Sequence, residues 1–112
     1  MFYVEKTIEV SAAHYLDVPG KHPEGNSHGH NFVITVYCRA ENLNYYGQVV
    51  DFKTIEDIVR KKMEHKLLND VFSFNPTAEN IAAWVLGQVP CCYKVRVKET
   101  ENNIAICEDI KF

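Results

Sequence analysis

No apolar run in this sequence approaches the roughly 18 residues needed to cross a bilayer as a helix. The first residues, MFYVEKTIEV, lack the basic segment, continuous apolar stretch and small-residue site of a secretory signal. A soluble, cytoplasmic protein is therefore expected. An excess of one charge is also missing, since 12 basic and 15 acidic side chains leave a net charge of -3. That balance gives no long-range attraction for nucleic acid or an anionic membrane. The local basic cluster RKKMEHK fits a solvated helix face. No CxxC spacing occurs among Cys38, Cys91, Cys92 and Cys107, and none is close in sequence to a histidine. They read as buried free thiols of a reducing compartment. There is no phosphate-binding loop, and no repeat is obvious at the residue level.

What is present fits one domain over residues 1–112. A chain of this length buries roughly two thirds of its unfolded surface, so a deep pocket would consume much of the interior. Walls borrowed from neighbouring copies, and hence an oligomer, are expected. Residues 2–13 and 28–41 carry strand-forming types, separated by a long loop with two prolines and two glycines. Ile55, Ile58, Val59 and Met63 recur at helical spacing, with Asp51 or Thr54 as the cap and an end near His65. A second helix is predicted from Asn75 as N-cap and Pro76 at the first position to just before Pro90. Its Trp84 reads as a packing residue. Residues 93–100 and 104–110 complete the pattern as a hairpin. The order β-β-α-α-β-β gives an α+β fold, a four-stranded antiparallel sheet with two helices on one face.

In His28-Gly29-His30 the strand period of two aims both imidazoles at one face. His14 lies at the end of the first strand, within reach if the first two strands pair antiparallel. Three neutral imidazoles suit Zn2+ and leave a fourth position for water or a substrate oxygen. Local sequence also allows the bland alternative of surface or hydrogen-bonding histidines.

The string Ser11-Ala12-Ala13-His14 followed by His28-Gly29-His30-Asn31-Phe32 resembles the zinc signature of the 6-pyruvoyltetrahydropterin and 6-carboxytetrahydropterin synthases. Gly47-Gln48-Val49-Val50-Asp51-Phe52, His65-Lys66 with Leu68-Asn69-Asp70, Pro76-Thr77-Ala78-Glu79-Asn80 and Glu99-Thr100 resemble further segments of that family, in family order. The resemblance implies a tunnelling fold and a hexamer of two trimers whose pooled strands form a barrel. It also implies active sites at subunit interfaces, Zn2+ on His14, His28 and His30, and a small dihydropterin substrate.

One position departs from the family. Most members place a catalytic cysteine four residues before HGH, where this chain has Glu24, resembling a glutamate-for-cysteine subgroup. A carboxylate suits removal of a proton from an acidified hydroxyl better than from a C–H bond. The expectation from this is a lyase that cleaves the side chain of dihydroneopterin or its triphosphate by a retro-aldol route, giving 6-hydroxymethyl-7,8-dihydropterin, a folate precursor. The competing readings are 6-carboxytetrahydropterin or 6-pyruvoyltetrahydropterin synthesis, and an inactive zinc- or pterin-binding protein.

His65 is the expected proton relay. Glu64 stands in the place of the family's aspartate beside it, although adjacent helical positions do not face one another. Glu99 can accept two parallel hydrogen bonds from the amino and ring N–H groups of a pterin. Thr77 and Glu79 are candidates for further substrate contacts, or they serve the helix start.

Overall fold

The computed structural model describes residues 1–16 and 28–109. Strands β1 (Phe2–His14) and β2 (His28–Ala40) are followed by helices α1 (Phe52–Met63), α2 (Leu68–Val71) and α3 (Ala78–Gln88), then β3 (Cys92–Thr100) and β4 (Asn103–Glu108). The strands form one sheet in the order β1-β2-β3-β4, each neighbour antiparallel. Alternation explains its two faces. Ile8, Val10 and Ala12 of β1, Phe32, Ile34, Val36 and Cys38 of β2, and Val95 and Val97 of β3 are buried on one side. Ile55, Val59 and Met63 of α1, with Ile81, Ala82 and Val85 of α3, close the core from above. α1 and α2 lie over β1, whereas α3 covers β3 and β4. The expected α+β arrangement, with helices on one face of a four-stranded antiparallel sheet, is what the chain adopts.

Several local details differ from expectation, and those around the helices bear on the site. α1 starts at the Asp51 cap, whose carboxylate accepts from the Lys53 N–H at 2.9 Å. It stops at Met63, before His65. Glu64 is extended and His65 has a φ of 57°, a left-handed backbone that a helix cannot continue through. The segment that follows runs along the free edge of β1. His65 N–H donates to Ser11 O at 2.7 Å, and Ala13 N–H donates to Lys66 O at 3.0 Å. The short helix α2 then turns on the fully buried Leu68, an element that its four residues were too few to reveal as a periodic pattern.

The N-cap of α3 is Thr77 rather than Asn75. Its hydroxyl accepts from the Asn80 N–H at 3.1 Å, a contact that contributes about 1 kcal/mol. Asn75 instead offers its carbonyl to the Thr77 N–H and to the Asn80 side chain. Pro76 therefore lies outside the helix, and its carbonyl is available to another partner. Cys91 is exposed, contrary to the expectation that all four thiols are buried. It precedes β3 in a left-handed conformation, with a φ of 62°.

Candidate metal centre and adjoining clefts

The register of the first hairpin sets His14 directly across from His28 and Ala12 across from His30. His14, the last residue of β1, is fully buried. Its ring lies 5.0 Å from that of His30, edge to face, and Phe32 packs edge-on against both. The third member comes from β3. The register of β3 and β4 slips between Lys98 and Thr100, leaving Glu99 as the extra residue of a bulge, a device that re-aims a side chain. Its Oε1 lies 3.3 Å from His14 Nε2 and 3.3 Å from His30 Nε2. One ligating atom from each of His14, His30 and Glu99 thus falls within 4.8 Å of the other two.

The protonation of His14 follows from its other nitrogen. Nδ1 lies 2.8 Å from the Pro76 carbonyl, which only accepts, so Nδ1 carries the hydrogen. In the neutral ring, Nε2 then presents its lone pair toward the Glu99 carboxylate. A metal-binding imidazole is commonly oriented by such a backbone carbonyl. An imidazole lone pair converging with an anionic oxygen and a second imidazole nitrogen is a donor set that suits a cation, and nitrogen with carboxylate oxygen suits a transition metal. This cluster can hold a metal ion.

The cluster stands between two clefts. One, of about 510 Å³, is lined by Ser11, Gly29, His30, Asn31, His65 and Leu67, among others. The second, of about 370 Å³, is bordered by Glu79, Glu99, Asn102 and Ile104. Volumes of this order accommodate small organic ligands. His65 is exposed at the rim of the first cleft, with Nε2 3.4 Å from Glu64 Oε1. The break in α1 removes the objection that neighbouring helical residues diverge. Glu64 is itself held by the Ser11 N–H at 3.0 Å and by Arg60 one helical turn earlier.

Of the residues singled out in the sequence, the fold gathers His14, His30 and Glu99 at one point and places His65 with Glu64 on the adjoining cleft. Glu79 shares the second cleft with Glu99. Thr77 is engaged as a helix cap, not set among the residues of either cleft. His28 is located by its backbone pairing, and Glu24 lies outside the described residues. Sequence reasoning missed the Pro76 carbonyl and Arg60. The i,i+4 spacing of Arg60 and Glu64 was a usable signal, but nothing in the sequence announced that Pro76 would reach His14.

Comparison with known proteins places this geometry. Residues 3–109 match the family described as 6-pyruvoyl tetrahydropterin synthase. A 6-carboxy-5,6,7,8-tetrahydropterin synthase from Synechocystis is 32% identical over 122 aligned positions, spanning 94% of this chain and 92% of the relative. The human 6-pyruvoyl tetrahydrobiopterin synthase is 30% identical, with 92% and 88% covered. Among solved structures, the Caenorhabditis elegans 6-pyruvoyl tetrahydropterin synthase superposes with a TM-score of 0.78 at 28% identity, covering 97% of this chain and 96% of that one.

These findings overturn the retro-aldol expectation. The relatives that align along most of the chain are named as carboxy- and pyruvoyl-tetrahydropterin synthases, and a metal cluster is equally compatible with a synthase reaction. Exchanging a thiol for a carboxylate at one loop position changes the proton acceptor but does not by itself select which bond breaks. The chain is an enzyme of the 6-pyruvoyl tetrahydropterin synthase family, and its His14, His30 and Glu99 can hold a metal ion.

Proposed function

We propose that the chain is a zinc-dependent pterin synthase that rearranges the hydroxylated side chain of a dihydroneopterin-type substrate into a 6-carboxy- or 6-pyruvoyl-tetrahydropterin. The observation that carries this is the convergence of His14, His30 and Glu99 between two clefts, in a chain aligned nearly end to end with synthases of those two names. His14 and His30 hold the metal with His28 as third imidazole, a choice supported by the pairing of His28 with His14. Bound zinc supplies Lewis-acid polarisation of a substrate oxygen.

The remaining roles fall to side chains of this chain. Pro76 holds His14 in the ligating tautomer. Glu24 accepts and returns protons on the substrate side chain. His65 relays protons at the cleft rim, oriented by Glu64, which Arg60 and the Ser11 N–H hold in place. Glu99 anchors the amino and ring N–H edge of the pterin, with Glu79 beside it. The working assembly is a hexamer of two trimers, supported by the exposed Ile104 and Ile106 on the edge strand β4. A cytoplasmic location is supported by four free thiols. No described helix is long and apolar enough to cross a membrane.

Product identification tests the reading. Incubated with dihydroneopterin triphosphate, the zinc-loaded protein is expected to yield the 6-carboxy or the 6-pyruvoyl tetrahydropterin, resolved by chromatography and mass spectrometry. Appearance of 6-hydroxymethyl-7,8-dihydropterin alone would contradict it.

The anchoring role has its own test. Glu99→Gln keeps the shape but loses the charge, and a hydrogen bond to a charged group contributes about 1.5–3 kcal/mol. KM for the pterin is therefore expected to rise roughly 10- to 150-fold with bound zinc unchanged. Loss of the zinc instead would make Glu99 a metal ligand.

A further inference from the structure

Beyond the pterin site, the chain carries a second cluster of reactive side chains at the other end of β2. Cys38 lies eight residues beyond His30, roughly 26 Å along an extended strand, so it is remote from the metal centre. The pairing of β2 with β3 is irregular there: Tyr37 faces Lys94, but Cys38 faces Cys92. Tyr93 is the extra residue of a bulge. Without it, alternation would set Tyr93 opposite Cys38 on the core side. With it, Tyr93 joins Tyr3 and Tyr37 on the outer face, and Cys92 turns inward to pack on the core beside Cys38.

The register sets Cys38 and Cys92 directly opposite one another. The proximity of Cys38 lowers the Cys92 thiol below the ordinary cysteine pKa, and Cys92 Sγ donates to the Lys94 carbonyl at 3.5 Å. The proximity of Cys92, with burial, pushes the Cys38 thiol well above that pKa. Directly opposed residues of an antiparallel pair have Cα atoms roughly 4.5–5.5 Å apart, inside the range that a disulfide spans. Cys38 is fully buried, whereas Cys92 lines a cavity of about 210 Å³ with Arg39, Tyr93, Asp109 and the exposed Cys91. One thiol is therefore reachable and inclined to ionise. The other waits beside it, shielded from solvent.

We propose that Cys38 and Cys92 form a reversible dithiol/disulfide modification site, oxidised by hydrogen peroxide that enters through the cavity bordered by Arg39 and Tyr93. The Cys92 thiolate attacks one peroxide oxygen. An S–O bond forms, the O–O bond breaks, and the leaving hydroxide takes up the proton that Cys92 released, giving water and a sulfenic acid. The Cys38 sulfur then attacks the Cys92 sulfur. The S–S bond forms as the S–O bond breaks, and the departing hydroxide takes the Cys38 proton to give a second water. The sulfurs together lose two electrons and the peroxide gains two. Cys91, next in sequence but with its side chain outside, takes no part.

The test uses the full-length, zinc-loaded protein and hydrogen peroxide. Its mass is expected to fall by about 2 Da, the two hydrogens lost in forming one disulfide. The mass should return with dithiothreitol, and peptide mapping should join Cys38 to Cys92. Cys91→Ser should form the same bridge. Cys38→Ala should stop at a sulfenic acid on Cys92, trapped by a dimedone reagent. A bridge that includes Cys91 or Cys107, loss of the bridge in Cys91→Ser, or no fall in mass would overturn the proposal. Should Cys38→Ala fail to fold, the wild-type map and Cys91→Ser decide the matter by themselves.

Discussion

Replacing His14 with alanine is expected to strip the metal from the chain and to lower turnover of the pterin substrate by about 100-fold or more. Loss of an outer partner of a metal ligand already costs roughly 10- to 100-fold in affinity or activity, and His14 is placed as the ligand itself. The substitution has a second, separable effect. His14 is fully buried and donates through Nδ1 to the Pro76 carbonyl, so alanine leaves that acceptor unsatisfied at about 1–3 kcal/mol. Metal analysis, steady-state kinetics and urea denaturation, made on the same preparation, read the two effects independently. The contrast is His65→Ala. That ring is mostly exposed and makes its contact with Glu64 rather than with the cluster, so the variant should lose activity while keeping its metal. A His14→Ala protein that retained both metal and activity would remove the cluster from the mechanism.

The second large effect belongs to Glu24. Proton transfer by a positioned side chain contributes roughly 10²- to 10⁴-fold to rate. If Glu24 is the proton acceptor proposed above, Glu24→Ala should lower kcat by that factor, with bound zinc and KM close to those of the parent. Glu24→Cys is the informative partner. It puts a thiol, also able to transfer protons, at that position, so turnover is expected to recover toward the parent value relative to Glu24→Ala. An unchanged kcat in Glu24→Ala would reduce the residue to a solvated carboxylate of the loop.

The parts of this fold that repeat with a short period were legible in the sequence. The strand-forming types of residues 28–41 and the helical spacing through Ile55, Val59 and Met63 gave the elements, and the structure buries Phe32, Ile34 and Val36 on the face beneath the helices. The strand period also put His28 and His30 in phase. The sequence left His14 within reach of these histidines only if the first two strands paired antiparallel, and the register that forms pairs His14 with His28.

What was not legible depends on single departures from period. The bulge at Glu99 aims its carboxylate at two imidazoles, and the bulge at Tyr93 turns Cys92 inward. Each moves one residue by one position, and no window of propensity resolves that. The cap of α3 was misplaced by two residues because Asn75-Pro76 and Thr77 are both good starts, and only the contact between Thr77 and Asn80 chooses. Glu64 and His65 were read as poorly aligned because the helix was carried two residues too far. The left-handed backbone at His65 is a cost met by tertiary hydrogen bonds to β1, which local sequence does not encode. The reaction was misjudged for a different reason, since Glu24 was asked to specify bond cleavage when its chemistry specifies only a proton acceptor.

The most direct test of the account is whether turnover follows the metal. Wild-type protein is to be depleted with a strong chelator, assayed with dihydroneopterin triphosphate, and assayed again after stoichiometric zinc is returned. Bound zinc is measured at each stage by plasma mass spectrometry, with the folded state monitored by circular dichroism. The account predicts that the depleted protein stays folded and forms no tetrahydropterin product, and that activity returns in proportion to the zinc bound. Undiminished formation of that product by fully depleted protein would contradict it.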